Sequence, residues 1–193
     1  MKKISSLIVA LVCTASAHAA ILDFNLIGTA GPGLLFGNEP AVGSGGTGGE
    51  IGAGIFFNDV TLQLTVNVGW GSSQGAFSDL TSTASASHIH GPTTANNGSG
   101  FTQTAGVLFT LTRSSSAVTG GTFTAPSSVI TLTAAQQTDL FNGKYYINIH
   151  TATNSGGELR GFIVPAPVPE PATCGLVAVG ALGLMGRRRK RVV

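Results

Sequence analysis

Three histidines and one glutamate are the residues in this sequence whose types and spacing could bind a metal ion. His88 and His90 are separated by one residue, so in a β-strand both imidazoles point to the same face. His150 and Glu158 stand on either side of a polar segment, 151–157, that ends in two glycines. Three imidazoles with one carboxylate form a ligand set that suits Zn or Cu. The candidate ligands of a small metal site are therefore His88, His90, His150 and Glu158.

The same residues also have a purely structural interpretation. Residues 145–150 and 158–164 both alternate as strands do, and the segment between them predicts a β-hairpin. The expected cross-strand pairs, all on one face, are His150 with Glu158, Asn148 with Arg160, and Tyr146 with Phe162. In this interpretation a network of hydrogen bonds and ion pairs fixes the register of the hairpin and consists of Asn148, His150, Glu158 and Arg160. His88 and His90 donate to backbone carbonyls in neighbouring loops. The network requires no cofactor, and it is the interpretation we favour from the sequence alone.

Short apolar runs between glycine, serine, threonine and asparagine make up most of the chain. The clearest run, residues 60–68, alternates apolar and polar side chains without interruption, which is the period of a half-buried strand. Other strands are predicted at 21–27, 51–57, 87–90, 106–111, 145–150 and 158–164. One helix is predicted over 134–141, with Thr133 as its N-cap and Gly143 near its end. This pattern predicts an all-β fold, an antiparallel β-sandwich or barrel. The run 43–49 predicts a flexible loop.

The basic residues are concentrated at the two ends of the sequence. Two of the ten Lys and Arg residues are Lys2 and Lys3, and five lie in the last seven residues. Between the ends, three basic residues stand against seven acidic ones, a net charge of −4, although the whole chain is formally +2. No basic patch remains there, so nucleic acid is excluded as a partner.

Both cysteines, Cys13 and Cys174, also lie in the terminal segments. The residues between them therefore offer no disulfide, no cysteine ligand and no cysteine nucleophile. No serine sits in a nucleophile elbow, because the one Gly-x-Ser-x-Gly match, at 71–75, is not followed by a predicted helix, and no spacing favours a pair of carboxylates for glycoside hydrolysis. We therefore expect a binding or structural protein rather than an enzyme.

The first 19 residues predict a secretory signal peptide. Two lysines precede an apolar core at 4–12, and Ala17 and Ala19 are the small residues that signal peptidase requires before its cleavage site. One domain, residues 20–165, is expected between this signal and a C-terminal tail, 166–193.

The tail combines three features in a fixed order. A short motif comes first: Val168, Pro169, Glu170 and Pro171. An uncharged, apolar run at 172–186 follows, which is shorter than the roughly 20 residues of a full bilayer span but can cross with tilt and snorkelling. Five basic residues end it: Arg187, Arg188, Arg189, Lys190 and Arg191. The order predicts a transmembrane helix whose basic end stays in the cytoplasm.

This tail resembles the PEP-CTERM sorting signal. In that family an exosortase, a membrane cysteine protease, recognises the tail and cuts near the Pro-Glu-Pro motif, so the tail is an address. The resemblance implies export with signal peptidase and exosortase as processing partners and a transient stay in the inner membrane. The implied destination is the cell surface or extracellular polymer matrix of a Gram-negative-type bacterium, where exopolysaccharide or matrix proteins are the expected partners.

Two segments of the domain resemble the CHRD domain, a module of exported proteins. They are Ser-His-Ile-His-Gly-Pro at 87–92, and Tyr-Ile-Asn-Ile-His-Thr at 146–151 followed by Gly-Gly-Glu-Leu-Arg-Gly at 156–161. The resemblance covers roughly residues 50–164 and implies an Ig-like β-sandwich, without an established molecular function.

The His-x-His strand also resembles the copper strand of Cu/Zn superoxide dismutase. Three histidines are too few for the two metals of that enzyme, and the domain cannot form its disulfide, so superoxide dismutation is not expected. We expect an exported, non-enzymatic β-sandwich with a binding or structural role. The alternative is a small His-ligated metalloprotein with a Zn or Cu site on that strand.

Overall fold

The computed structural model describes residues 20–40, 42–94, 101–114, 118–124 and 128–167. The predicted signal peptide and most of the predicted sorting tail, including its apolar run and basic cluster, lie outside these residues. Within the described ranges, no helix has the length and apolar character needed to cross a membrane.

The described residues form eleven strands and one α-helix. The strands are β1 Ile21–Gly28, β2 Gly31–Pro32, β3 Leu34–Leu35, β4 Thr47–Asn58, β5 Gln63–Trp70, β6 Ala84–His90, β7 Val107–Thr110, β8 Gly121–Phe123, β9 Val129–Thr131, β10 Tyr145–Thr151 and β11 Leu159–Pro165. The helix, α1, is Ala134–Phe141. The all-β prediction with one short helix is therefore confirmed, and the helix has the predicted bounds.

All strand pairs among these elements are antiparallel. The main path runs β2-β1-β4-β3-β11-β10-β6-β7, and β5 pairs with β4 on one side and with β8 and β9 on the other. Side chains of β5, which lies off this path, and of β6, which lies near one end of it, belong to one hydrophobic core. The sheet therefore folds over itself around that core, which is the arrangement of a β-sandwich.

A capping box begins α1. The Oγ1 of Thr133 accepts a hydrogen bond from the backbone N–H of Gln136 at 3.3 Å, and the Gln136 side chain accepts one from the Thr133 N–H at 2.8 Å. These two bonds satisfy backbone donors that a helix start leaves free. The predicted N-cap, Thr133, is thus confirmed.

The strand predicted to begin at residue 60 begins instead at Gln63. The Oδ1 atom of Asn58 accepts hydrogen bonds from the backbone N–H groups of Val60 and Thr61, at 2.9 and 3.0 Å. Leu62 follows with a φ of 58°, which is the left-handed region. A side-chain-capped turn therefore replaces the first residues of the alternating run, because asparagine competes for the backbone donors of a strand.

The glycine-rich run was expected to be a flexible loop, and this prediction is wrong for its second half. Gly48 lies in β4 opposite Trp70 of β5. A Cβ atom at Gly48 would stand 2.5 Å from the carbonyl oxygen of Gly69, so no other residue fits there. The glycines allow close packing of backbones, and one of them, Gly46, donates its N–H to a buried carboxylate.

Candidate metal centre

Three imidazoles meet on one face of the sheet. His88 and His90 alternate along β6 with the buried Ile89 between them, and β6 pairs with β10, which carries His150. One nitrogen from each ring lies within 4.8 Å of the corresponding nitrogens of the other two. His90 and His150 are 8% and 9% exposed, whereas His88 is more open to solvent. The structure therefore brings all three predicted histidines together.

Backbone carbonyls fix which nitrogens of two rings face the cluster. His90 Nδ1 lies 2.9 Å from the carbonyl oxygen of Ala105, and His150 Nδ1 lies 2.8 Å from that of Ser155. A carbonyl oxygen only accepts, so both Nδ1 atoms carry the proton and both Nε2 atoms present a lone pair. These tautomers are assigned from the acceptors. The same arrangement, with the outer nitrogen held by a carbonyl, is typical of metal-binding histidines.

The inner nitrogens face one another at short distance. His88 Nδ1 lies 3.1 Å from His150 Nε2, and His90 Nε2 lies 3.4 Å from that same atom. Without a metal ion, His88 can donate its proton to His150, but the lone pairs of His90 and His150 then point at each other. A cation between the rings would remove this repulsion.

The surroundings of the cluster favour neutral rings. Burial lowers the pKa of His88, and the neighbouring His150 and His90 lower it further. Burial also lowers the pKa of His90, although the hydrogen bond to Ala105 opposes this effect. Neutral imidazole is the form that binds a metal ion.

The Tyr146 ring packs against the face of the His90 ring. The two rings are stacked, with centroids 4.9 Å apart and an angle of 4° between the planes. The Tyr146 hydroxyl accepts a hydrogen bond from the Ala105 N–H at 3.1 Å and lies 3.4 Å from the Ala105 carbonyl oxygen. Tyr146 therefore helps to hold both the ring of His90 and the carbonyl that fixes its tautomer.

A buried ion pair lies beyond Tyr146. The guanidinium carbon of Arg160 is 4.1 Å from the centre of the Tyr146 ring, and Arg160 Nε is 2.8 Å from Glu39 Oε2. Asn148 donates a hydrogen bond to the same carboxylate oxygen at 3.0 Å. Burial raises the pKa of Glu39, and Arg160 opposes that rise. The pair brings together opposite charges that are almost fully enclosed.

The predicted hairpin register is confirmed in its regular part. Asn148 lies opposite Arg160, and Tyr146 lies opposite Phe162. Both residues predicted for the structural network, Asn148 and Arg160, therefore adjoin the histidines. Glu39 was missed, because it lies 109 residues before Asn148 in a segment without a motif.

Glu158 lies apart from the imidazoles. Its Oε1 accepts hydrogen bonds from the N–H groups of Gly46 and Thr81, at 3.0 and 2.8 Å. Its Oε2 accepts from the Thr81 hydroxyl, the Thr151 hydroxyl and the Asn154 amide, at 2.6, 2.9 and 3.2 Å. Glu158 precedes β11, and its carboxylate joins three loops. The expected fourth ligand is not in the cluster, because five donors already occupy both of its oxygens.

The pKa of Glu158 reflects this setting. Burial alone raises the pKa of its carboxyl group, but hydrogen bonds from Thr81, Gly46 and Thr151 outweigh burial, so the pKa lies below the usual value. The carboxylate is therefore a stable anion inside the fold.

Comparison with known families agrees with these motifs. The family model of the CHRD domain matches residues 34–163, about two thirds of the chain. The model of the PEP-CTERM protein-sorting motif matches residues 167–190, which include Val168–Pro171 and the basic residues from Arg187 to Lys190. That motif indicates export through a membrane-anchored intermediate and processing by an exosortase. No curated protein and no solved structure gives a significant match. The chain belongs to the CHRD domain family.

Proposed function

We propose that this exported domain is a metal-binding module in which His88, His90 and His150 hold a Zn or Cu ion. The observation that carries the proposal is the convergence of three ring nitrogens within 4.8 Å, with two of the rings anchored from behind by backbone carbonyls. A purely structural network needs each ring to be paired. It does not need two unprotonated nitrogens to face each other.

The distances suit a metal of this kind. Zn–N bonds of about 2.0–2.1 Å place two ligand nitrogens of a tetrahedral site about 3.3 Å apart. The separations from His150 Nε2 are 3.1 Å to His88 and 3.4 Å to His90. For all three rings to bind one ion, the ligand nitrogens of His88 and His90 must also move closer together. His88 can supply this movement because it is the most exposed of the three rings.

The ligand chemistry narrows the choice of metal. All three candidate ligands are imidazoles, and no cysteine lies among the described residues. Imidazole suits Zn and Cu, whereas Mg and Ca prefer oxygen ligands. Three protein ligands leave one coordination position of a tetrahedral ion for water or an external ligand. We therefore propose an open site rather than a closed structural one.

The test is elemental mass spectrometry of the folded protein after exposure to Zn or Cu and removal of the excess. We expect close to one metal per chain in the wild type and a loss of that metal in a His88→Ala, His90→Ala double variant. A single His88→Asn variant is the gentler check, because this ring is partly exposed and its replacement should leave thermal stability close to that of the metal-free wild type. Equal metal in wild type and variants would overturn the proposal.

We also propose that the processed domain acts without catalysis at the cell surface or in the extracellular polymer matrix. The sorting motif supports delivery outside the cell. The residues between the terminal segments carry a net charge of −4, so the domain is repelled by polyanions. The expected binding partner is therefore an uncharged polysaccharide or a matrix protein. Co-sedimentation with the exopolysaccharide of the producing cell tests this role. A domain that stays in the supernatant with and without bound metal would refute it.

A further inference from the structure

One end of the domain collects nearly all of its exposed large apolar side chains. Five such residues occur in the described ranges, and four of them lie at this end: Ile21, Val60, Leu62 and Phe141, which are 52%, 68%, 39% and 39% exposed. Isolated exposed apolar residues need no explanation, but a group of this kind marks a contact surface.

Strand register shows that the four residues share one end. Ile21 begins β1 and lies opposite Asn58, the last residue of β4. Val60 and Leu62 belong to the turn that follows Asn58, and this turn is tied to Ala20 by the N–H of Asp59 at 3.3 Å. These contacts place the β4–β5 turn beside the first residues of the domain.

The chain leaves the domain at the same end. Phe24 of β1 lies opposite Pro165 of β11, and the N–H of Ala166 donates to the carbonyl oxygen of Asp23 at 2.9 Å. A groove of about 420 Å³ opens here, and Ile21, Phe24, Phe141, Pro165 and Pro167 line it. The Phe141 ring packs at 5.7 Å against those of Phe24 and Phe57. The apolar surface thus continues up to the last described residue, Pro167.

The distance from this end to the membrane is short. Four residues, 168–171, separate Pro167 from the apolar run 172–186. Five Cα–Cα steps join Pro167 to Ala172, and they span at most about 18 Å even when the chain is fully extended. While the tail is uncut, Pro167 therefore lies within that distance of the point where the chain enters the bilayer.

We propose that this apolar end rests on the outer surface of the membrane before the tail is cut, with Ile21, Val60, Leu62 and Phe141 in the lipid interface. The charged residues at this end include Asp23 and Asp59, both exposed, so contact with lipid depends on apolar side chains and not on anionic headgroups. The tether makes a weak contact sufficient, because a short linker gives an effective concentration on the order of millimolar. This inference does not depend on the metal site.

Fluorescence quenching in nanodiscs tests the proposal on the full chain, tail included. The discs contain zwitterionic phosphatidylcholine and hold one chain each, without exosortase. Replacing Cys13 and Cys174 with serine leaves the chain without cysteine, so a single environment-sensitive dye can be attached at Val60→Cys. Ala152→Cys is the matched control, because Ala152 is exposed in the loop after β10, away from the apolar end.

We expect brominated lipids to quench the dye at Val60→Cys severalfold more strongly than the dye at Ala152→Cys, with little change on adding salt. An added Ile21→Ser, Leu62→Ser pair should remove most of the difference without unfolding the domain, since both side chains are exposed. Equal quenching at the two positions would overturn the proposal. The proposal would also be overturned if the dye at Val60→Cys were quenched only in discs with two chains or only after exosortase is added, because the apolar end would then contact protein and not lipid.

Discussion

Replacing Glu158 with glutamine tests the assignment of this residue as a structural anion. The carboxylate is fully buried and accepts five hydrogen bonds, two from backbone N–H groups and three from side chains. Its pKa lies below the usual value although burial alone raises it, so the hydrogen bonds stabilise the charge by more than burial costs. Removing the charge must therefore destabilise the fold.

The size of the effect follows from the individual partners. In the Glu158→Gln variant, the remaining oxygen keeps its two bonds to Gly46 and Thr81, each weaker by about 0.5–1 kcal/mol because the acceptor is now neutral. The hydroxyls of Thr81 and Thr151 can rotate to accept from the new amide. The Asn154 amide instead meets another donor and loses a hydrogen bond to a charged acceptor, which costs about 1.5–3 kcal/mol. We expect a total loss of about 2.5–5 kcal/mol in the free energy of unfolding.

Urea denaturation followed by tryptophan fluorescence measures this loss, because Trp70 is the only tryptophan and is fully buried. Asp139→Asn is the control. It removes a partly exposed ion pair with Lys144, 3.0 Å long, and should cost less than about 1 kcal/mol. A loss below about 0.5 kcal/mol in Glu158→Gln would refute the reasoning. Metal stoichiometry at saturation should be unchanged, since the three imidazoles remain.

The same variant carries a pH signature. The pKa of Glu158 is lower in the folded state than in the unfolded chain, so its contribution is complete above the unfolded pKa, about 4.3, and is lost as pH falls through the folded pKa. The stability difference between wild type and Glu158→Gln should therefore be constant near neutral pH and shrink in acid. A difference that grows on acidification would contradict the lowered pKa.

Three further outcomes are expected. Tyr146→Phe should weaken Zn affinity about tenfold in a competition titration, because the backbone of Ala105, which holds His90, loses its bond to the hydroxyl. Tyr145→Phe is the control and should leave Zn affinity unchanged, because it removes a buried hydroxyl that has no hydrogen-bond partner. Equal effects of the two variants would contradict this role of Tyr146. Arg160→Met should lower the free energy of unfolding, measured by urea denaturation, by about 3–5 kcal/mol, because it leaves the buried Glu39 carboxylate without its partner. Adding Glu39→Met should restore much of that free energy, and a double variant without any restoration would contradict the ion pair. In the metal-free protein, His88 and His90 should be half-protonated only below the ordinary imidazole pKa of 6.5, because burial lowers both pKa values, and metal affinity should fall as these rings take up protons. An NMR titration in which either ring is half-protonated above pH 6.5 would contradict the lowered values.

The sequence predicted the local parts of the site. Alternation along one strand placed His88 and His90 on the same face, and hairpin logic placed Asn148 opposite Arg160. Both predictions depend on residues that are close in the chain. The pairing of β6 with β10, which brings His150 to the other two rings, joins segments about 60 residues apart, and no local pattern encodes that choice.

The position of Glu158 could not be predicted for a similar reason. Its place in the hairpin suggested that it faces His150, but β11 begins one residue later, and donors from distant loops determine where the carboxylate lies. Gly157, with a φ of 129°, shows the same local departure from a strand, and a Cβ atom there would stand 2.2 Å from Asn148 Oδ1. The Gly-Gly-Glu part of the motif thus ends the hairpin loop and does not extend the face that carries the three histidines.

The structural network and the three histidines of the proposed metal site, which were alternatives at the level of sequence, are connected parts of one arrangement. Glu158 accepts hydrogen bonds from Thr151, the last residue of β10, and from Asn154, which directly precedes Ser155, the residue whose carbonyl orients His150. Tyr146 orients His90 from the other side. The network therefore presents two lone pairs at a fixed separation before any ion arrives, so binding requires movement mainly of His88. A preorganised site of this kind loses less free energy to ordering on binding than three independent rings would.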